Sequence, residues 1–597
     1  MSTISTKHLK GGDFLTGSPP AETIFTPEDF TEEHRMLRNS VRDFIEQHVE
    51  PRREDFDSAK GYELAPALLE EMGRLGFLGL GVPEEYGGYE ADFSTQLAFG
   101  EVAYPAWSFG LSIGVQTSLG VAPLLLYGNQ AQKQKYLPGI VSAQIKSCYC
   151  LTEPGAGSDA NSGKTNAVYT KDGKHLLLNG QKMWITSSGY ADLFFVFAKI
   201  ENDKNLSCLI VEKAYGGIRL GEEEKKMGIR GSSTRQVFFE DVRVPADNLL
   251  GQRNDGFKIA LNVLNTGRIK MATSVTGNAK RAFRLGVQYA MERRQFGKAI
   301  ANFGAIRHKI GESAARIYTM ESLAYRIGGS IDGVRAALIE GGMDRLEAKH
   351  RSIAEFAMEC AIAKVHNTEA EQYVVDEALQ IHGGMGYSAE TPIETLYRNA
   401  RINRIYEGTN EINRLLTVDM LLRRAMKGQI ELMQPAMAIM READSGKPAA
   451  GLPPDGPLAA EKHALDNLKK AALLVSGAAV QRLMARLKEE QEIMLQLADC
   501  YIQLYALESV LLRTEKRLGK KDFALRHDLT ILTLHRAAAR IREAAREALM
   551  AFAEGADLQN MIRAVELWSS PPPANLKETR RRVAQAAFEA GDYPFAE

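Results

Sequence analysis

Phe194-Phe195-Val196-Phe197 and Val237-Phe238-Phe239-Glu240-Asp241-Val242-Arg243-Val244-Pro245 are apolar, β-rich runs inside a chain whose flanks carry apolar residues at helical spacing. Their reading decides the architecture. With Asp172-Gly173 and Asn179-Gly180 read as hairpin-turn dipeptides, they predict a β-domain at 148–255 between two helical domains.

Upstream, an arm at 1–29 holds Gly11, Gly12, Pro19 and Pro20. Thr31, followed by Glu32 and Glu33, then opens a helix with Leu37, Val41, Phe44 and Ile45 on one face, stopped at Pro51. Leu68, Met72 and Leu75 continue the pattern. After the turn-rich residues 82–90 the chain reads helical again from Phe93 to Leu137, giving a helical domain at 30–147. Downstream, Met271, Val275, Ala282, Leu285 and Tyr289 share a face, as do Ile306, Ile310, Ala314 and Ile317, in a helical domain at 256–425. Thr391-Pro392-Ile393-Glu394 reads as a capping box with Pro at the first helical position.

Residues 426–460 read as a helix end and a linker, rich in Pro and Gly from 442 to 457. A further helical unit is expected at 461–597. There Leu465 to Leu483 and Ile493 to Leu511 repeat at bundle-seam spacing, and a third helix holds Leu534, Ile541, Ala545 and Leu549. Arg536, Arg540, Arg542 and Arg580 to Arg582 read as a solvated outer face, one that could also meet anionic lipid headgroups.

The 597 residues balance 74 Lys plus Arg against 75 Asp plus Glu, which leaves no basic field for nucleic acid. Five mostly scattered cysteines suit a reducing compartment better than a disulfide framework. No run of 18 apolar residues occurs, and the first residues lack the patterns of a signal or transit peptide, so a cytoplasmic protein is expected.

Several motifs carry chemistry. Gly155-Ala156-Gly157-Ser158-Asp159-Ala160 fits a dinucleotide fingerprint, but no amphipathic helix follows. Gly163-Lys164-Thr165 imitates a phosphate loop whose leading glycine is replaced by Ser158. What survives is a hairpin region rich in hydroxyls (Thr152, Ser158, Thr186) with Trp184 available to stack, suited to a polar heteroaromatic ring such as a flavin; a plain surface turn is an equal reading. Gln380 to Gly386 ends a helix with more glycines than a cap requires, which suggests close approach of backbone to a ligand. Cys148 and Cys150 share a strand face but lack further ligands for a metal, and none is expected. In Ile405-Tyr406-Glu407-Gly408-Thr409 a carboxylate lies among apolar neighbours just before a helix whose N-cap is Thr409. Desolvation there would raise the Glu407 pKa towards that of a general base.

Tyr149 to Asp159, Lys182-Met183-Trp184-Ile185-Thr186, Arg293-Arg294-Gln295-Phe296-Gly297-Lys298, Gln380 to Gly386 and Tyr406 to Thr409 occur in the order in which the acyl-CoA dehydrogenases have them. The chain resembles that family over residues 30–425, and its C-terminal extension resembles the very-long-chain subgroup. The resemblance implies a mainly α fold with a central β-barrel-like domain and a four-helix bundle, extended by a helical C-terminal unit. It also implies an FAD enzyme that dehydrogenates long-chain or very-long-chain acyl-CoA to trans-2-enoyl-CoA and passes electrons to electron-transfer flavoprotein, working as a homodimer. It assigns Tyr149, Leu151, Thr152, Ser158, Trp184, Ile185 and Thr186 to the isoalloxazine. Arg293, Gln295, Phe296, Gln380, Gly383 and Gly384 fall to the pyrophosphate and adenosine end across the dimer interface, and Thr409 and Glu411 to the FAD side of the base. Relatives often have an amide or Asp at the position of Glu411. Glu407 is implied as the base, and Ser158, Asn265, Arg268 and Gly408 as substrate contacts. Some members take the base from the position just before Arg268, which here is Gly267. Gly114 and Gly120 lie on helices that would wall a deep acyl pocket, and helix packing explains them equally. The rivals are an oxidase of the same superfamily and an assembly scaffold for a respiratory complex.

Overall fold

Thr31 caps the first long helix, its Oγ1 accepting from the His34 N–H at 3.3 Å, and Val41, Phe44 and Ile45 turn inward. The computed structural model describes residues 10–595; residues 1–9 of the arm and 596–597 of the last unit lie outside the described residues. The N-terminal helices are α1 (Glu32–His48), α2 (Ala59–Arg74), α3 (Phe93–Ala103), α4 (Phe109–Gly114), α5 (Ala122–Tyr127) and α6 (Gln130–Val141). The stretch read as helical from Phe93 to Leu137 is thus several helices. A segment around Pro105 and a π-helical turn at Val115–Leu119 interrupt it. Phe109–Tyr127 is apolar enough on average to cross a membrane, but most of it is buried in the protein.

Eight strands follow: β1 (Ser147–Cys150), β2 (Asn166–Tyr169), β3 (His175–Thr186), β4 (Leu193–Ile200), β5 (Ser207–Glu212), β6 (Ile218–Glu223), β7 (Thr234–Pro245) and β8 (Leu249–Leu250). They form one sheet in the order β6-β7-β3-β2-β4-β5-β8, and β1 pairs with β4. Central β4 is an unbroken apolar run because both its faces are covered. Phe195 and Phe197 join one cluster with Leu151 and Val263, and Phe194 and Val196 another with Ile185 and Val237. Asp172-Gly173 is a turn, with Gly173 at φ 70°. Asn179-Gly180 is not. It lies within β3 at a bulge, where Gly180 lets the strand approach Thr165 and Asn179 bonds Asp241 at 2.9 Å.

The next helices are α7 (Gly256–Glu292), α8 (Gly304–Glu340), α9 (Arg345–Glu355), α10 (Ala357–His382), α11 (Gly384–Tyr387), α12 (Pro392–Ala400) and α13 (Asn410–Met426). A small hairpin of β9 (Arg294–Gln295) and β10 (Lys298–Ala299) joins α7 to α8. Helix α12 starts where expected, but no capping box forms. The Thr391 hydroxyl donates to Met385 O at 2.8 Å, and Glu394 is taken by Arg398, which also binds Asp57.

Within 426–460 a separate helix, α14 (Met433–Asp444), precedes the Pro- and Gly-rich stretch, which forms no helix from Ser445 to Leu458. The C-terminal unit then comprises α15 (Ala459–Leu483), α16 (Gln491–Glu515), α17 (Phe523–Phe552), α18 (Gly555–Trp568) and α19 (Leu576–Ala590). Helices α16, α17 and α19 lie on α8, closed by buried ion pairs. Arg513 binds Glu28 at 2.6 Å and Glu321 at 2.9 Å, while Glu508 binds Arg326 and Lys469, each at 2.6 Å. Of the arginines read as an outer face, Arg581 and Arg582 are exposed, and the others are partly covered and paired. Arg536 and Arg580 bind Glu312, Arg540 binds Asp499, Arg582 binds Asp528, and Arg542 donates to Ser569. The described part of the arm is a strap rather than a loose tail: Phe14 and Leu15 are buried, Gly12 N donates to Glu359 at 2.7 Å, and Lys469 reaches Gly17 O at 2.7 Å.

Candidate active site

Glu407 lies in the turn between the 3₁₀ segment at Arg401–Arg404 and α13, with φ 58°, followed by Gly408 at φ 79°. A non-glycine residue in left-handed backbone is strained and must be held. The Glu407 carbonyl accepts from Arg268 Nε at 3.3 Å and Asn413 Nδ2 at 3.4 Å, and Lys364 Nζ donates to Gly408 O at 2.8 Å. Thr409 caps α13 through the Ile412 N–H, as its position predicts.

These restraints aim the carboxylate at α7, where Gly267 makes room. A Cβ there would stand 2.8 Å from Glu407 Oε2 and 3.2 Å from Oε1. Oε2 is buried without a hydrogen-bond partner. Burial raises the pKa to about 7, against the opposing pull of the Arg268 and Lys364 charges. Among the described residues no backbone acceptor takes the Glu407 N–H. Asn265 is committed to Arg268, accepting from its Nη1 at 2.9 Å, which makes it an orienting group for that arginine.

The β-domain meets this turn through Tyr149 on β1. Its hydroxyl is buried and unpaired, and burial holds its pKa well above the ordinary value, with Glu407 and Arg268 close enough to act on it. After β1, buried Lys182 fixes the loop, donating to Leu151 O at 3.1 Å and Glu153 at 2.6 Å. Glu153 in turn accepts from the Lys164 N–H at 2.6 Å and the Thr165 N–H at 3.1 Å, so the false phosphate loop spends these amides on a carboxylate. The carbonyls of Leu151 and Thr152 are occupied, the latter by the Met183 N–H. A bulge between Lys182 and Ile185 throws Trp184 out of the sheet at φ 61°, leaving its ring 51% exposed, while Ile185 faces the core. Thr186 pairs with Thr234, and Ser158 is exposed. A Cβ on Gly155 or Gly157 would meet nothing within 4 Å.

The other motifs gather at one end of the bundle. Tyr289 near the end of α7 stacks on His382 at the end of α10, with ring centroids 4.2 Å apart, so the hairpin with Arg293, Gln295 and Phe296 adjoins the Gln380–Gly384 turn. Phe296 is 92% exposed and Tyr387 89%, and Gly383 and Gly384 face open space. Glu411 is exposed in the first turn of α13, its pKa lowered by its own N–H and the Thr409 hydroxyl. Cys148 and Cys150 pack side by side, Sγ atoms 3.8 Å apart.

Thr266, next to Gly267 in sequence, lines a largely apolar cavity between α3, the π-helical turn, α5, α7 and α9, together with Phe99, Tyr104 and Leu125 among others. A Cβ on Gly114 would meet only Tyr104 there, at 3.7 Å. Gly120 faces away and is a packing glycine: its Cβ would overlap Ser147.

A buried carboxylate of raised pKa, open glycines and a flipped-out tryptophan are features that a flavin-dependent oxidoreductase uses. Sequence models of the acyl-CoA dehydrogenase N-terminal, middle and C-terminal domains match residues 31–144, 148–242 and 254–422, and a further acyl-CoA dehydrogenase C-terminal domain matches 467–566. The chain belongs to the acyl-CoA dehydrogenase family and is an FAD-dependent enzyme. It is similar to a probable acyl-CoA dehydrogenase of Bacillus subtilis, at 41% identity over 98% of both chains, and to the human mitochondrial very long-chain specific acyl-CoA dehydrogenase, at 34% over 85% of this chain and 80% of the relative. The crystal structure of an acyl-CoA dehydrogenase complexed with FAD from Bacillus anthracis superposes with a TM-score of 0.94, at 41% identity over 98% of this chain and 99% of the other.

Proposed function

We propose that the enzyme converts long-chain or very-long-chain acyl-CoA to the trans-2-enoyl-CoA, the opening step of fatty acid β-oxidation, with electrons leaving through an electron-transfer flavoprotein and two chains forming the working unit. The observation that carries this reading is the Glu407 carboxylate: buried, unpaired at Oε2 and seated against Gly267, whose neighbour in sequence, Thr266, lines an apolar cavity.

FAD, when bound, supplies the acceptor for the β-hydride. Tyr149, Leu151, Thr152, Ser158, Trp184, Ile185 and Thr186 would hold its ring through backbone N–H groups, hydroxyls and the exposed indole. Arg293, Gln295 and Phe296 with Gln380, Gly383 and Gly384 would hold its far end, and the two exposed rings at that rim, Phe296 and Tyr387, favour cover by a second chain. Thr409 and Glu411 begin α13 beside it. Glu407 Oε2 takes the α-proton. Its open N–H donates to the thioester carbonyl as negative charge develops there, which makes the α-proton acidic enough for a carboxylate to remove. Arg268 and Gly408 keep that N–H and the carboxylate on one turn, and Asn265 keeps Arg268 in place.

Anaerobic titration with palmitoyl-CoA tests the reading: the flavin band should bleach at one equivalent per site. Reduction by NADH but not by acyl-CoA would overturn it. Oxygen uptake with palmitoyl-CoA and no added acceptor would assign an oxidase instead.

A further inference from the structure

Two lysines reach into the cavity that the proposed function gives to the acyl chain, and that reaction gives them no work. Lys270 lies one helical turn beyond Gly267 on α7, about 4.5 Å along the axis, and Lys349 comes from α9. Each ammonium has three N–H donors, and each finds one protein acceptor: Thr117 O at 3.0 Å for Lys270 and Gly81 O at 2.5 Å for Lys349. No Asp or Glu lines the cavity. The nearest acids are occupied elsewhere, Glu90 by Arg335 and Arg345, and Asp332 by the Phe93 and Ser94 amides. Burial pushes Lys270 down to about 8. Burial, and then the neighbouring Lys270 charge, push Lys349 down to about 7.

Two hydroxyls in the same cavity, Ser118 Oγ and Thr266 Oγ1, are buried without any partner. Thr266 and Lys270 are four residues apart and share one side of α7, while Ser118 from the π-helical turn and Lys349 from α9 line the same cavity. Four under-used polar groups in a largely apolar cavity are costly unless something completes them. A hydrocarbon tail cannot. A carboxylate can, since it accepts several hydrogen bonds and neutralises the paired cations.

We propose that the acyl cavity selects chains ending in a carboxylate, so that the preferred substrates are ω-carboxyacyl-CoA thioesters held by Lys270 and Lys349, with Ser118 and Thr266 as further donors. The proposal rests on the acyl-CoA reading above.

The test uses FAD-loaded enzyme and matched esters of 6, 8, 12 and 16 carbons, each as the plain, ω-hydroxy and ω-carboxy acyl-CoA, with kcat/KM from flavin-coupled turnover and Kd from calorimetry. At one or more lengths the ω-carboxy ester should exceed its plain partner at least ten-fold in kcat/KM and bind more tightly. Lys270→Met and Lys349→Met should each lower that ratio about ten-fold, and Lys349→Arg should restore most of it; a merely structural lysine would lower all esters alike. A plain ester preferred at every length, an equal gain from the ω-hydroxy ester, or a ratio unchanged in both methionine variants would overturn the proposal. If no ester of any kind reduces the flavin, the acyl-CoA reading itself has failed, and calorimetry with the ω-carboxy ester still judges the lysine pair.

Discussion

Where α16 and α17 lie on α8, buried charges are matched: Arg513 with Glu28 and Glu321, and Glu508 with Arg326 and Lys469. Around Glu407 the opposite holds, since its Oε2, the Tyr149 hydroxyl and the hydroxyls of Ser118 and Thr266 are buried and bond nothing. Both regions are helical and both exclude water, so burial alone does not separate them. The difference lies in completion. The ion pairs of the seam close within the protein and leave only isolated atoms such as Arg316 Nε on α8 unpaired, whereas near the base a carboxylate oxygen and the Tyr149 hydroxyl are both left open.

The largest expected effect breaks the open side. Glu407→Gln should lower flavin reduction by acyl-CoA roughly 10²–10⁴-fold while FAD content and substrate binding persist, as stopped-flow absorbance with equilibrium binding would show. At the seam, Arg513→Met leaves Glu28 and Glu321 without their shared partner. We expect a loss of about 3 kcal/mol in denaturant unfolding, at the low end for a broken buried pair because Arg526 and Lys280 remain beside them. Gly267→Ala places a methyl where the carboxylate rests, and kcat should fall roughly ten- to a hundred-fold with the melting temperature little changed.

A smaller effect links the two regions through pH. The Glu407 pKa is about 7 in the fold against 4.5 for a free glutamate, so the unfolded chain ionises first and stability drains away as pH rises from 4.5 to 7. Above pH 7 that cost is complete. Glu407→Gln should therefore be more stable than the parent by at most about 3 kcal/mol at pH 8 and nearly equal to it at pH 4, measured by thermal unfolding in both buffers. The parent's kcat/KM should rise with pH through about 7, as its base ionises. The smallest effect compares two glycines: Gly114→Ala should change stability by only a few tenths of a kcal/mol, and Gly120→Ala should cost clearly more, because only the latter meets Ser147.

The helical, β and helical texture was legible in the chain because periodicity is a local property, and β4 announced itself by burial on both faces. The turn at Glu407 was legible for a similar reason, since an acid between Tyr406 and Gly408 just before a cap is a local pattern. What stayed hidden depends on partners distant in sequence. Nothing near Lys182 points to Glu153, and nothing in α7 or α9 alone shows that Lys270 and Lys349 meet one cavity. Leu558, Met561, Val565 and Trp568 do carry the helical spacing of α18, a signal that was present and passed over, and Asn575, whose side chain accepts from the Glu578 N–H, marks the start of α19. The Asn179-Gly180 dipeptide misled because glycine serves close strand approach as readily as a turn.

The strap at the start of the chain also has a consequence for synthesis. Gly12 bonds Glu359, and Glu28 bonds Arg513, partners that leave the ribosome hundreds of residues later. At about 5–20 residues per second, residue 28 waits roughly 25–100 s for its arginine. Until then Phe14 also lacks Tyr505, the ring it packs against edge-on, so the arm stays open to chaperones and proteases and locking it into place is among the last acts of folding.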